Sequence, residues 1–131
     1  SKEEYPAVGL DELLGWADIL SIHCPLNGRT RNLIGRNELD KMKRSAIIIN
    51  VARGGIIGEQ ALAEALDADK IRGAALDVFT SEPINPDSPL LKIVDPCKLL
   101  ASPHNAWSTV EAIDRLIGCV ANNIREYLNN L

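Results

Sequence analysis

The sequence predicts an α/β fold: a Rossmann-like parallel sheet with flanking helices. Two observations carry that expectation. Short β-rich runs alternate with helical segments along the chain, as in strands joined by helical crossovers. One run, Ala46, Ile47, Ile48 and Ile49, is apolar at every position, which suits a central parallel strand covered on both faces.

The elements follow in order. Leu10, Leu13 and Leu14 predict a short helix over 10–14, and Ile19, Leu20 and Ile22 a first strand. Polar-apolar pieces predict helical turns over 32–34 and 37–42. The apolar run at 46–49 is the second strand. Ala61, Leu62, Ala65 and Leu66 form a helix stripe within 59–66. A third strand is expected over 71–76, weakened by Gly73 and followed by a loop carrying Pro83, Pro86 and Pro89. The fourth spans 98–101. From Ser108 onward, Val110, Ile113, Ile117, Val120, Ile124 and Leu128 mark a long amphipathic helix, with Ser108 or Thr109 as its cap and Glu111 in its first turn.

Composition narrows the function. With 131 residues and 46% hydrophobic content, a globular domain with its own core is expected. The formal charge is −4 and the 14 basic residues form no stripe, which argues against a nucleic-acid surface. No apolar run approaches the roughly 20 residues of a membrane span, and Ser1-Lys2-Glu3-Glu4 has no signal-peptide pattern. Cys24, Cys97 and Cys119 are widely spaced and odd in number. They fit a reducing, cytoplasmic compartment and predict no metal site and no disulfide framework.

The polar residues of interest share one placement. His23 follows the first strand, Asn50 to Gly55 the second, Asp77 and Glu82 the third, and His104 the fourth. In an open parallel sheet the carboxyl ends of the strands line the ligand crevice, so these residues converge on one rim. Arg53 there can grip a planar carboxylate through two parallel hydrogen bonds. A surface salt bridge is the plainer use, but Gly54 and Gly55 beside it allow close approach of backbone or ligand. A histidine titrates near neutrality and can exchange a proton with a carbonyl being reduced. His104 and His23 both qualify, and a purely structural role is open to each. Glu82 offers a carboxylate that would orient an imidazole and favour its protonated form.

One segment imitates a dinucleotide fingerprint. Arg53-Gly54-Gly55-Ile56-Ile57-Gly58 lies between a strand and a helix, with Asp77 further on. The first fingerprint position is arginine, however, and Glu59 at the helix start would repel a pyrophosphate. The segment is therefore not expected to cradle phosphate.

Several stretches in this order carry a resemblance: His23-Cys24-Pro25-Leu26 with Thr30; Met42-Lys43 through Ile49 to Gly55; Gly73-Ala74-Ala75-Leu76-Asp77-Val78-Phe79 with Glu82-Pro83; and Ser102-Pro103-His104. Together they resemble the D-isomer-specific 2-hydroxyacid dehydrogenases over essentially the whole chain. Within that family, Pro103-His104-Asn105-Ala106-Trp107 looks most like glycerate dehydrogenase (hydroxypyruvate reductase). The resemblance implies hydride transfer between NAD(H), with NADP not excluded, and C2 of a 2-oxoacid or D-2-hydroxyacid. Arg53, Glu82 and His104 would be catalytic: Arg53 on the substrate carboxylate, His104 as acid/base, Glu82 holding it. Cys24, Pro25, Thr30, Val51, Ala52, Arg53, Asp77, His104 and Ala106 would line the cofactor, Asp77 at its nicotinamide end. Glu82 also separates the chain from formate dehydrogenase, whose pattern has glutamine there. Asn27 and Gly58 depart from the usual threonine and aspartate, and neither is catalytic. The resemblance further implies that residues 1–131 are the carboxyl-terminal part of the NAD-binding domain, without the first βαβ unit, its G-x-G-x-x-G and the substrate domain, and that the fragment alone is inactive. A homodimer is the family expectation for the full-length protein. A rival class is the nucleotide-sensing corepressors on the same fold, which can retain the Arg, Glu and His. A plain structural domain would need four strand-end motifs to coincide by chance.

Overall fold

A computed structural model of the chain describes residues 7–130; the reading of Ser1 to Glu4 lies outside them. The elements run α1 (Leu10–Trp16), β1 (Ile19–Ile22), α2 (Arg36–Lys41), β2 (Ile47–Asn50), α3 (Glu59–Asp67), β3 (Gly73–Leu76), two 3-10 turns (Pro89–Lys92 and Pro96–Lys98), β4 (Leu99–Ala101) and α4 (Val110–Asn129). The four strands form one sheet in the order β1-β2-β3-β4, and every pairing is parallel. The register aligns Ile22 with Asn50, Asn50 with Leu76, and Leu76 with Ala101. All four carboxyl ends therefore finish on one level. This is the Rossmann-like arrangement the sequence predicts.

The core explains the element choice. Ile48 is wholly buried at the centre of β2, and Ile47 and Ile49 on its other face are half-buried. Leu62, Ala63, Ala65 and Leu66 bury one face of α3. Leu14, Leu20, Ile22, Ile34, Leu39 and Ile71 complete a single cluster with them. Burying each large aliphatic side chain stabilises by about 1.5–3 kcal/mol.

One expectation changes, and the choice between two helix caps is decided. Residues 32–34 are not helical: Asn32 takes φ 51 and its N–H reaches the Gly55 carbonyl at 2.8 Å. Ile34 then bridges in parallel to Ile57, so the backbone bonds of this segment go to the neighbouring turn and not to a helical ladder. Of the two candidate caps for α4, Thr109 accepts from the Ala112 amide at 3.2 Å, while the Ser108 hydroxyl donates to the Asn105 carbonyl at 2.7 Å. No residue of α4 is buried; Leu116, Ile117, Val120, Ile124 and Leu128 are exposed along it. Among the described residues no helix is long and apolar enough to cross a membrane, and no three metal-ligating side chains gather.

Candidate active site

The site begins at the end of β2. Asn50 is only 2% exposed, although it is polar and terminates an apolar strand. Its side-chain amide donates to the Arg53 carbonyl at 2.9 Å, and its oxygen accepts from the Ala52 amide at 3.1 Å. The strand end thus folds back on itself, and Arg53 is presented on a tethered turn. Gly54 follows because nothing larger fits. A Cβ there would lie 1.9 Å from the Phe79 carbonyl oxygen. Gly55, at φ 80, completes the turn in a conformation that glycine adopts freely. Gly54 of the fingerprint-like segment therefore receives the chain's own backbone, and the Glu59 carboxylate sits at the start of α3 on Thr80 and Ser88.

The second part hangs from β3 and β4. Asp77 directly follows β3 and is 3% exposed. Its Oδ1 accepts from the Ser102 hydroxyl at 2.5 Å and the Asn105 amide at 2.9 Å, and its Oδ2 from the Ala106 amide at 2.9 Å. Burial pushes this carboxyl up, but the Ser102 hydroxyl, the two amides and the nearby His104 together hold it below its ordinary value. Three bonds from one carboxylate bracket His104, which takes φ 55. That left-handed backbone costs on the order of 1–3 kcal/mol outside glycine and persists only where surroundings over-determine it. The Trp107 indole adds a bond to the His104 carbonyl at 3.0 Å.

His104 Nδ1 lies 2.7 Å from Glu82 Oε2. Glu82 Oε1 accepts from the Phe79 amide at 3.0 Å. The bond to His104 and that from the Phe79 amide hold the Glu82 carboxyl below its usual range, against a smaller burial effect and the charge of Asp77. An ionised Glu82 makes Nδ1–H the donor, which leaves Nε2 as the ring nitrogen that can exchange a proton. The two histidines are now distinguished: His23 Nε2 pairs with the Ser21 hydroxyl at 2.8 Å, and His104 with a carboxylate.

Two cavities meet here. One, of about 330 Å³, is lined by Val51, Arg53, Asp77, His104, Ala106 and Trp107. The other, of about 670 Å³, is lined by His23, Cys24, Pro25, Leu26, Val51, Ala52 and Arg53. They share Val51 and Arg53. Of the residues expected at a cofactor, Cys24, Pro25, Val51, Ala52, Arg53, Asp77, His104 and Ala106 all line this pair. Thr30 does not. Its hydroxyl donates to the Pro25 carbonyl at 2.7 Å and accepts from the Asn27 amide at 2.8 Å, closing the 25–30 loop beneath the lining residues. The sequence offers Asn50 only as the start of the 50–55 segment, Ser102 only within Ser102-Pro103-His104, and Glu59 only as a group that would repel phosphate; none has a supporting role assigned there. Only the buried amide at the end of an apolar run gave any signal, since a polar strand terminus calls for a local partner.

Comparison with known proteins places the chain in a family. The family described as D-isomer specific 2-hydroxyacid dehydrogenase, NAD binding domain, matches residues 1–106. The chain belongs to that family. A hydroxypyruvate reductase of Blautia hydrogenotrophica is 40% identical over 121 residues, covering 92% of this chain and 37% of that protein. A solved glyoxylate reductase from Paecilomyes thermophila superposes with a TM-score of 0.78 at 39% identity, over 90% of this chain and 35% of the other. An NAD-complexed D-isomer specific 2-hydroxyacid dehydrogenase of Lactobacillus delbrueckii ssp. bulgaricus gives 0.79 at 30% identity, over 88% and 38%. The chain thus spans somewhat over a third of the length of these 2-hydroxyacid dehydrogenases. As a member of an NAD-binding domain family it is expected to hold the dinucleotide, and the paired cavities on the sheet rim fit it: an open trough with a partly exposed Val51 wall leads to the Arg53–His104 pocket.

Proposed function

We propose that the protein acts as an NAD-dependent D-2-hydroxyacid dehydrogenase. The observation that carries the reading is the Glu82–His104 pair, 2.7 Å apart, with His104 lining the same cavity as Arg53. NADH, when bound, supplies the hydride that reduces C2 of a 2-oxoacid. Arg53 binds the substrate carboxylate and polarises the carbonyl. His104 gives its Nε2 proton to the carbonyl oxygen as C2 becomes tetrahedral, and takes it back in the oxidative direction. Glu82 orients the ring and offsets the charge of the imidazolium. Cys24, Pro25, Val51, Ala52, Asp77 and Ala106 would hold the cofactor along the cavity wall that they form.

A glycerate/hydroxypyruvate pair is the substrate we favour. The 103–107 stretch and the hydroxypyruvate reductase relative support it. Three free cysteines suit a cytoplasmic enzyme. The test is turnover in the intact protein, followed by loss of NADH absorbance with hydroxypyruvate and glyoxylate. His104→Ala should lower kcat by about 10²–10⁴-fold with little change in NADH affinity. Arg53→Ala should raise KM for the 2-oxoacid sharply and also cut kcat, since it serves both ground and transition states. A His104 variant with an unchanged rate would sink the mechanism. NADH binding without turnover of any 2-oxoacid would favour a nucleotide-sensing role.

A further inference from the structure

Glu59 opens α3, where an acidic side chain suits the positive end of the helix dipole. Its carboxylate has a more specific engagement. Oε1 accepts from the Thr80 amide at 2.7 Å, and Oε2 from the Ser88 hydroxyl at 3.2 Å. The Phe79–Thr80 peptide it grips touches both halves of the site. Its carbonyl lies against Gly54, next to Arg53. The Phe79 amide, one peptide earlier, donates to Glu82, the partner of His104. We propose that Glu59 is a positioning residue for the reaction: by holding the Thr80 amide it fixes the Phe79–Thr80 peptide, and with it the spacing between Arg53 and the Glu82–His104 pair. This inference rests on the proposed dehydrogenase activity.

Two substitutions in the intact protein separate this role from a plain helix-dipole contribution. Glu59→Asp keeps the charge at the helix start but shortens the reach by one carbon. Glu59→Gln keeps the reach and an acceptor oxygen for Thr80 but removes the charge. Displacement of a catalytic group by about 1 Å can cost on the order of 10²-fold. A partial displacement in Glu59→Asp should lower kcat by roughly tenfold and raise KM for hydroxypyruvate, with NADH affinity unchanged. Glu59→Gln should stay within roughly threefold of the parent. A dipole role predicts the reverse: a sound Asp variant and a weakened Gln variant, visible in thermal stability and not in kcat.

A second readout does not depend on turnover. The Glu82 carboxyl, followed by carbon-13 NMR, faces His104 and the Phe79 amide, with Asp77 nearby. Loosening of the Phe79–Thr80 peptide should move its titration upward toward the ordinary glutamate range in Glu59→Asp, and Glu59→Gln should restore it. An Asp variant with parental kcat and an unmoved Glu82 titration would overturn the inference, as would a Gln variant as impaired as the Asp one. Absence of turnover in the parent protein would refute the proposed function alone, and the Glu82 titration would then decide the role of Glu59.

Discussion

Asp77→Asn removes one acceptor from a buried carboxylate without changing its volume. In the parent, Oδ1 serves Ser102 and Asn105 while Oδ2 serves Ala106. The asparagine oxygen can keep the first two, but its NH₂ then faces the Ala106 amide, donor against donor. A hydrogen bond to a charged group is worth about 1.5–3 kcal/mol. The freed Ala106 amide lies on an exposed loop and can take up water, and the carboxylate no longer bears its burial cost. Both effects favour the low end, so the expected loss is about 1–2 kcal/mol. Its pH dependence follows from the direction of the Asp77 shift. The folded carboxyl titrates below its unfolded value of about 3.9. Its contribution is therefore complete above that value and is lost as pH falls through the folded pKa. Urea unfolding of parent and variant should show the full gap at neutral pH, narrowing below about pH 4 as the parent carboxyl takes up its proton. A gap under about 0.5 kcal/mol at neutral pH, or one that persists unchanged in acid, would refute the account of Asp77 as an ionised clamp.

Gly54→Ala places a methyl group 1.9 Å from the Phe79 carbonyl oxygen and should destabilise by about 1–3 kcal/mol or more, read as a lower denaturation midpoint. An unmoved midpoint would contradict the close approach. Asn50→Ala strips the turn carrying Arg53 of both side-chain tethers, at about 1–3 kcal/mol of stability. In kinetics it should raise KM for the 2-oxoacid more than the dissociation constant for NADH, and equal changes in the two would argue against a specific role in aiming Arg53.

The fold was legible where burial and pairing coincide. Ile19–Ile22 was read in full, and the strand ends fell on one rim because a parallel sheet with short crossovers leaves no other arrangement. Errors arose where the two separate. Ala46 and Ile71 are apolar and almost wholly buried, yet both lie outside their strands: the apolar run places the second strand one residue early, missing the polar Asn50 at its end, and makes the third two residues too long. At 32–34 the left-handed Asn32 overrides a weakly periodic stretch, and short segments carry too few residues for periodicity to resist. In the site, the candidate catalytic side chains could be named because their types are chemically restrictive. The contacts that hold them could not. Glu82 and His104 are 22 positions apart and meet only through two loops, while Asn50, Asp77 and Glu59 act largely on backbone amides and carbonyls that have no signature in the sequence.

That division has a physical basis in how the rim is held. Arg53 and His104 need exposure to meet a substrate, and exposed loops are ordinarily the least fixed part of a fold. Here each loop is tied by a buried polar group at the end of the strand behind it: Asn50 at the end of β2 for the Arg53 turn, Asp77 just past β3 for the His104 loop. The two ties are themselves joined, since the Asp77 amide donates to the Asn50 carbonyl at 3.0 Å. The β2–β3 ladder thus extends one bond beyond the strands and passes sheet rigidity to both sides of the cavity. Reactive groups held in this way keep their spacing without burying their charge, which is the preorganisation that proton transfer to a bound carbonyl requires. A single buried tie would fix one loop and leave the other free to drift. Two joined ties fix the distance between them.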